Sequence, residues 1–271
     1  MNFTRIAIHG VPRSGTTWLG EIINSSPNVV YKYQPLFSYE LKGFLNEASS
    51  LIDINSFFEK LLTLKSPFLD QLQAKADGII PVFAKAEITH IAYKEVRYHH
   101  ILKNLLLKDS GVKILGVVRN PLAVMNSWLE SPREFRKDLG WSEEEEWRFA
   151  EKKNCNRTEE FYGFEKWKQV AYLFHELEML FPDRFLLVNY DNLLRDTQNQ
   201  VTQIYMFCGL SLSPQTTEFL STSRKMGKET TYSVYRTKKK DDKWKSNLNQ
   251  RIITEIEKDL NGTKLEKYLM I

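Results

Sequence analysis

The sequence predicts an α/β fold: a single domain over residues 1–271, with a central parallel sheet flanked by helices in a P-loop-like arrangement. Three observations carry this expectation. Strand-like apolar runs alternate along the chain with helix-like amphipathic stretches, the pattern of a parallel sheet covered on both faces. Two of those runs, 113–118 and 184–190, are close to continuously apolar, as in strands buried on both sides. The first strand leads into a Gly/Pro loop and a helix that opens on hydroxyl residues, Gly10-Val11-Pro12-Arg13-Ser14-Gly15-Thr16-Thr17. That layout aims backbone N–H groups and a helix N-terminus at one point, which makes an anion site.

In chain order, residues 1–8 read as a short strand and 16–25 as a helix, with Trp18, Leu19, Ile22 and Ile23 at helical spacing and Pro27 as its stop. An extended run at 29–37 is broken by Pro35. Residues 54–64 and 67–76 look helical and amphipathic. Strands follow at 79–83 and 88–96, then a helix at 98–108 and the buried strand 113–118. That strand stops at Arg119-Asn120-Pro121, where proline suits the first turn of a helix. Ser142 before Glu143–Glu146 reads as a capped helix start with acids in its first turn, a structural role rather than a catalytic one. A long helix is expected over 159–180, and Asp191 opens another after strand 184–190. Residues 201–207 and 214–220 read as helices, 230–245 as a polar candidate lid, and 246–260 as a closing amphipathic helix. No internal repeat or linker divides the chain.

Composition narrows the function. The chain is 42% hydrophobic and 27% charged, with a net charge of +4, so it is globular and not a general nucleic-acid binder. A local basic pocket for an anionic ligand fits this balance. Cys155 and Cys208 lie far apart in no metal-ligand spacing and read as reduced thiols. Residues 1–8 lack the charged-then-apolar layout of a signal peptide, and no apolar run approaches the roughly 20 residues of a membrane helix. A reducing, cytoplasmic setting is therefore expected, and the sequons at Asn2, Asn156 and Asn261 are read as chance matches.

The spacing Gly10-x4-Gly15-Thr16-Thr17 nearly completes the P-loop pattern G-x-x-x-x-G-K-[ST], but Thr16 stands where the lysine belongs and the cation comes earlier, as Arg13. A cradle without that lysine suits poorly the transfer of a γ-phosphoryl group. Four positions end or follow strands: Arg13, Lys94, Arg119 and Tyr190. Ligands of open parallel sheets bind beyond the carboxyl ends of the strands, so these four can converge.

These residues resemble a family. Pro12 to Ile22 is similar to the 5′-phosphosulfate loop of PAPS-dependent sulfotransferases, P-[KR]-S-G-T-T-W-x-x-E-I. Arg119-Asn120-Pro121 with Ser127 resembles the family's 3′-phosphate motif, R-[DN]-P-x5-S. Val188 to Leu193 is similar to its F-Y-E-D-[ML] strand end, and Asp242 to Leu248 resembles a loose G-D-W-K-N-x-[FL]. The motifs come in the family's order and span nearly the whole chain. The resemblance implies a sulfotransferase that moves the sulfuryl group of 3′-phosphoadenylyl sulfate (PAPS) to an acceptor hydroxyl and releases 3′,5′-ADP, with no metal expected. It assigns Arg13, Ser14, Gly15, Thr16, Thr17 and Trp18 to the 5′-phosphosulfate and adenine. It gives Arg119 and Ser127 to the 3′-phosphate, with Arg236 as a candidate second arginine, and Tyr190 to the adenine side.

For catalysis the resemblance points to Arg13 and Lys94, with a general base still needed. Carbohydrate and protein-tyrosine members place a Glu-Pro soon after the first helix; this chain has Gln34-Pro35. Small-phenol members place a histidine just after a strand lysine; here Lys94 is followed by Glu95-Val96-Arg97, a K-x-x-R like that of carbohydrate members. Glu95 is the leading candidate base, His99 and His100 follow, and Glu40 and Glu87 stand further off. The overall pattern lies nearer the carbohydrate branch, which makes a saccharide hydroxyl the expected acceptor. Residues 34–39 and 161–164 are candidate aromatic walls for it. The competing readings are an atypical P-loop kinase or NTPase and an inactive nucleotide-binding module.

Overall fold

In the computed structural model, which describes residues 3–223 and 241–270, five parallel strands form one sheet. They are β1 (Thr4–His9), β2 (Val29–Tyr33), β3 (His90–Glu95), β4 (Val112–Val118) and β5 (Phe185–Asn189), in the spatial order β2-β3-β1-β4-β5. The register aligns Ile8 with Lys94 and Leu115, Tyr33 with Lys94, and Val118 with Asn189. All five carboxyl ends therefore lie along one edge. The chain leaves β1 toward β2 on one side of the sheet and leaves β4 toward β5 on the other. The crevice between their ends is a topological switch point.

Helices cover both faces, and the alternation of β1 sorts the core. Ala7 joins one apolar cluster, with Phe57, Leu105, Trp128, Trp167 and Phe174; Ile6 and Ile8 join the other, with Leu19, Ile22, Ile204 and Phe219. The first cluster includes residues of α2 (Leu51–Thr63), α4 (Leu102–Lys108), α5 (Pro121–Leu129), α8 (Phe164–Leu180) and α13 (Gln250–Leu260). The second includes residues of α1 (Thr16–Asn24), α9 (Tyr190–Arg195), α10 (Thr197–Cys208) and α11 (Pro214–Ser223). Shorter helices α3 (Leu72–Ala76), α6 (Glu143–Phe149), α7 (Glu151–Asn154) and α12 (Trp244–Asn247) complete the order. In β4 the close approach of Phe185 and Phe174 explains Gly116: a Cβ there would meet the Phe185 ring at 2.5 Å.

Several elements depart from the sequence expectation. Residues 79–83 form no strand: Pro81 removes a ladder donor, Ile80 is buried but Val82 is exposed. The helix expected over 159–180 begins only at Phe164, because Gly163 before it takes a non-helical backbone at φ 87°. The run 98–108 opens as a 3-10 turn at His99–Ile101 before α4. Residues 67–71 are turns, leaving only α3 of the expected 67–76 helix. The closing helix divides, because Asn249 accepts from the Arg251 amide and caps α13 anew. Of the expected lid, residues 230–240 lie outside the described residues.

The helix nearest the crevice carries a buried acid. Glu21 on α1 is fully buried; Oε2 accepts from Asn24 and Oε1 has no partner. Burial pushes its carboxyl up from 4.5 to about 7. The folded chain thus holds a proton that the unfolded chain loses between those values, so this group costs stability as pH rises through that window. Glu21→Gln keeps an acceptor for Asn24 and removes the charge. Its melting temperature should gain on wild type progressively from about pH 5 to pH 8, followed by thermal denaturation; a pH-independent difference contradicts the assignment.

Candidate functional site

A cleft of about 380 Å³ opens at the switch point. Its lining draws on every strand end: the loop after β1 (Arg13, Gly15, Thr16, Thr17), the end of β2 (Tyr33, Gln34), β3 (Lys94, Arg97), β4 (Arg119) and β5 (Tyr190). The sequence-predicted residues Arg13, Gly15, Thr16, Thr17, Trp18, Lys94, Arg119, Ser127 and Tyr190 are brought together here. Arg236 lies outside the described residues.

The β1–α1 loop is a turn built on positive φ angles. Arg13 has φ 72° and Gly15 has φ 92°. Glycine at position 15 is required twice over: by that φ, and because a Cβ would lie 2.2 Å from the ring of Tyr190. No side chain caps α1, so its opening amides at Thr16 and Thr17, which line the cleft, are left to serve a ligand. Ser14 is placed differently from the expected ligand donor. Both its Oγ and its amide donate to the Val11 carbonyl, at 2.7 and 3.2 Å, so it closes the loop from within.

Arg13 is held from α5 and the turn that follows. Its Nε donates to Ser127 Oγ at 3.0 Å, and Nη1 stands 3.6 Å from Glu134 Oε1. Arg119 binds across the crevice: Nη1 donates to the Arg13 carbonyl at 2.5 Å, while Nε and Nη2 donate to both carboxylate oxygens of Asp241, at 2.5 and 2.6 Å. Trp167 Nε1 fixes its backbone through the Arg119 carbonyl. The guanidinium sits 5.1 Å above the Tyr190 ring, and Trp18 meets that ring edge-on at 6.1 Å. Burial opposes the Arg119 charge, but Asp241 more than offsets it and raises its pKa. Asn120 caps α5 from the next position, and its amide donates to Asp191. Burial first, then the Asp241 charge, pushes Asp191 up to about 6.

The β3 end splits its side chains between two faces. Lys94 is buried at the cleft with Nζ 4.3 Å above the Tyr33 ring, and desolvation lowers its pKa. Arg97 Nε donates to Glu160, Nη1 donates to the Gln34 side-chain oxygen, and its guanidinium covers Phe37 at 4.0 Å. Glu95 does not line the cleft. It points away from Lys94, accepts the Leu36 amide at 2.8 Å and is fully buried, which raises its pKa. Alternation along the strand is the reason. As placed, Glu95 anchors the turn that follows Gln34 and stands off the lining, which does not fit the base role expected of it. His99 is buried behind the sheet, its Nδ1 3.1 Å from His9 Nδ1; His100 also lies off the cleft lining.

Sequence reading missed Arg133, Glu134, Lys153 and Phe68, which also line the cleft, and the Asp241 contact on Arg119. Glu134 was within reach of a sequence signal: Ser131-Pro132 stops α5 and Phe135 is an apolar plug one turn on. Tyr162, buried in the same core cluster as Phe161 and Phe164, alone of the three also lines the cleft. Among the described residues no group of His, Cys, Asp and Glu is placed to hold a metal ion, and no helix is long and apolar enough to cross a membrane.

A parallel sheet with an uncapped helix N-terminus and two arginines at its switch point forms an anion site. The sulfotransferase domain family matches residues 3–268, and the chain belongs to that family. Mouse carbohydrate sulfotransferase 5 is 28% identical over 137 residues, covering 49% of this chain and 34% of that relative; the chain spans about a third of its length. Among solved structures, mouse sulfotransferase SULT7A1 complexed with PAP is similar with a TM-score of 0.56 at 15% identity, over 99% of this chain and 88% of that one. Retinol dehydratase in a complex with retinol and PAP gives 0.57 at 16% identity, over 98% and 83%. The sulfotransferase domain of the Synechococcus PCC 7002 olefin synthase gives 0.51 at 19%, over 95% of each chain.

The packing of Gly15 under Tyr190 predicts that Gly15→Ala weakens binding of 3′,5′-ADP by about tenfold or more, read by isothermal titration calorimetry. Unchanged affinity contradicts the reading of this loop.

Proposed function

We propose that the chain transfers a sulfuryl group from PAPS to an acceptor hydroxyl, releasing 3′,5′-ADP, with a saccharide as the acceptor. One observation carries the donor reading. Arg119 already grips a planar oxyanion, the Asp241 carboxylate, with two parallel N–H bonds beside the Tyr190 ring, and the uncapped start of α1 opens onto the same cleft. A 3′-phosphate suits the first cradle and a 5′-phosphosulfate the second. Family membership and the PAP named in two similar structures support the same donor.

In this reading Thr16 and Thr17 receive the 5′-phosphate, while Ser127 and Arg119 hold the 3′-phosphate. Trp18 and Tyr190 flank the adenine side. Arg13 and Lys94 stand where charge develops on the bridging oxygen as the sulfuryl group leaves, and their positive charge favours that departure. Thr16 in the place of a P-loop lysine fits a donor with no γ-phosphate. Catalysis is then positioning plus charge stabilisation, as in phosphoryl transfer. The Gln34 amide, held by Arg97, is placed to orient an acceptor. The rings of Tyr33, Phe37 and Phe68 at the mouth offer faces for a sugar, and the carbohydrate sulfotransferase relative supports that class.

Thermal stabilisation by 3′,5′-ADP should exceed that by 5′-AMP or Mg·ATP; preference for Mg·ATP contradicts the donor assignment in favour of a kinase or NTPase. Arg119→Ala should reduce the affinity advantage of 3′,5′-ADP over 5′-AMP by about 10- to 100-fold, the worth of a charge-assisted bidentate pair. An undiminished advantage removes Arg119 from the 3′-phosphate. Transfer of radiolabelled sulfate from PAPS to a panel of saccharides and phenols decides the acceptor class.

A further inference from the structure

We propose that Glu134 is the general base of the transfer, the group that takes the proton of the attacking hydroxyl. This rests on the donor reading above. Among the described residues that line the cleft, Glu134 is the one carboxylate, and no histidine lines it. Its Oε1 stands 3.6 Å from Arg13 Nη1, beside the cation assigned to the departing sulfuryl group. Its Oε2 is buried with no hydrogen-bond partner. A buried carboxylate oxygen left unpaired in the wall of a cleft is costly unless a ligand completes it, and an acceptor hydroxyl is such a ligand.

The local fold explains the placement. After α5 the chain turns at Ser131, whose carbonyl accepts the amides of both Glu134 and Phe135. Phe135 is buried edge-on against Trp128, with ring centroids 5.4 Å apart. The plug at 135 sets the turn that brings Glu134 to the cleft, so α5 and its turn deliver Ser127 and Glu134 to the same guanidinium. The other candidates lie off the lining, Glu95 turned to the Leu36 amide and His99 against His9, while Gln34 lines the cleft but cannot accept a proton usefully.

The step balances. The acceptor oxygen bonds to sulfur as its proton passes to Glu134 Oε2. The bond between sulfur and the bridging oxygen breaks, and its electron pair leaves on the 5′-phosphate of 3′,5′-ADP. The groups that face Glu134 are Arg13 from the β1–α1 loop, Lys94 from β3, Lys153 from α7, Tyr162 before α8, and Arg133 on its own turn. Most of these are basic side chains, so the carboxylate stands within the cationic lining of the cleft.

The alternative role, orientation of Arg13 alone, survives Glu134→Gln, because an amide oxygen still accepts from a guanidinium. The probe is PAPS hydrolysis, with water as acceptor, in the full chain. Glu134→Gln should lower the rate at saturating PAPS by about 100-fold or more, the usual share of a general base. It should remove the acid limb of the pH–rate profile and leave the dissociation constant of 3′,5′-ADP within about threefold, the bound condition that separates chemistry from binding. Glu134→Ala should regain activity with added formate, which supplies the missing carboxylate. A Glu134→Gln rate within threefold of wild type with the acid limb intact, or no formate rescue, overturns the role of Glu134. Failure of the wild-type chain to bind 3′,5′-ADP overturns the donor reading, and this role with it.

Discussion

The hydrogen bond from Arg119 Nη1 to the Arg13 carbonyl joins the end of β4 to the loop after β1, across the point where the chain leaves the sheet in two directions. Neither partner is in a relaxed place. Arg13 is a non-glycine residue at φ 72°, a conformation that costs about 1–3 kcal/mol and persists only where its surroundings fix it. Arg119 is a buried cation. Each supplies what the other lacks: the carbonyl exposed by the left-handed turn meets a guanidinium that needs acceptors. Ser127 on α5 then fixes the Arg13 side chain, and Tyr190 at the start of α9 packs against both Gly15 and Arg119. The segments after β1, β4 and β5 thus converge around this contact.

Charge balance in the cleft follows from that convergence. Arg13, Lys94, Arg97, Arg119, Arg133 and Lys153 all line it. The protein answers part of this charge internally, with Glu160 on Arg97, Asp241 on Arg119 and Glu134 near Arg13. Lys94 gets a ring face from Tyr33 and a buried carboxylate beyond the strand, and desolvation lowers its pKa. Cations crowded and dehydrated in this way gain from any ligand that brings phosphate oxygens, which is the physical ground for a doubly anionic nucleotide donor.

Much of this was legible in the sequence where local chemistry decides. The β1–α1 loop, the continuous apolar strands and the Arg119-Asn120-Pro121 helix start each carry their own signal, and the parallel sheet brings them together without further information. Readings failed where distant packing decides. Residues 79–83 are apolar enough for a strand but follow a turn with Pro81 and find no partner. Glu95 was read as a base beside Lys94, yet strand alternation turns it to the Leu36 amide. Asp241 reaches Arg119 through a contact 122 positions away in sequence, which periodicity and motifs do not encode, and Glu134 reaches the cleft through the Phe135 plug, foreshadowed only by the Ser131-Pro132 stop after α5.

The central claim is that the two cradles joined by Arg119 and Arg13 hold the two phosphates of one nucleotide. A crystal structure of the chain with 3′,5′-ADP tests it most directly. The 3′-phosphate is expected on Arg119 Nε and Nη2 in place of Asp241, with Ser127 beside it, and the 5′-phosphate on the amides of Thr16 and Thr17. A nucleotide bound with Asp241 still on Arg119, or with its 5′-phosphate away from the start of α1, would contradict it.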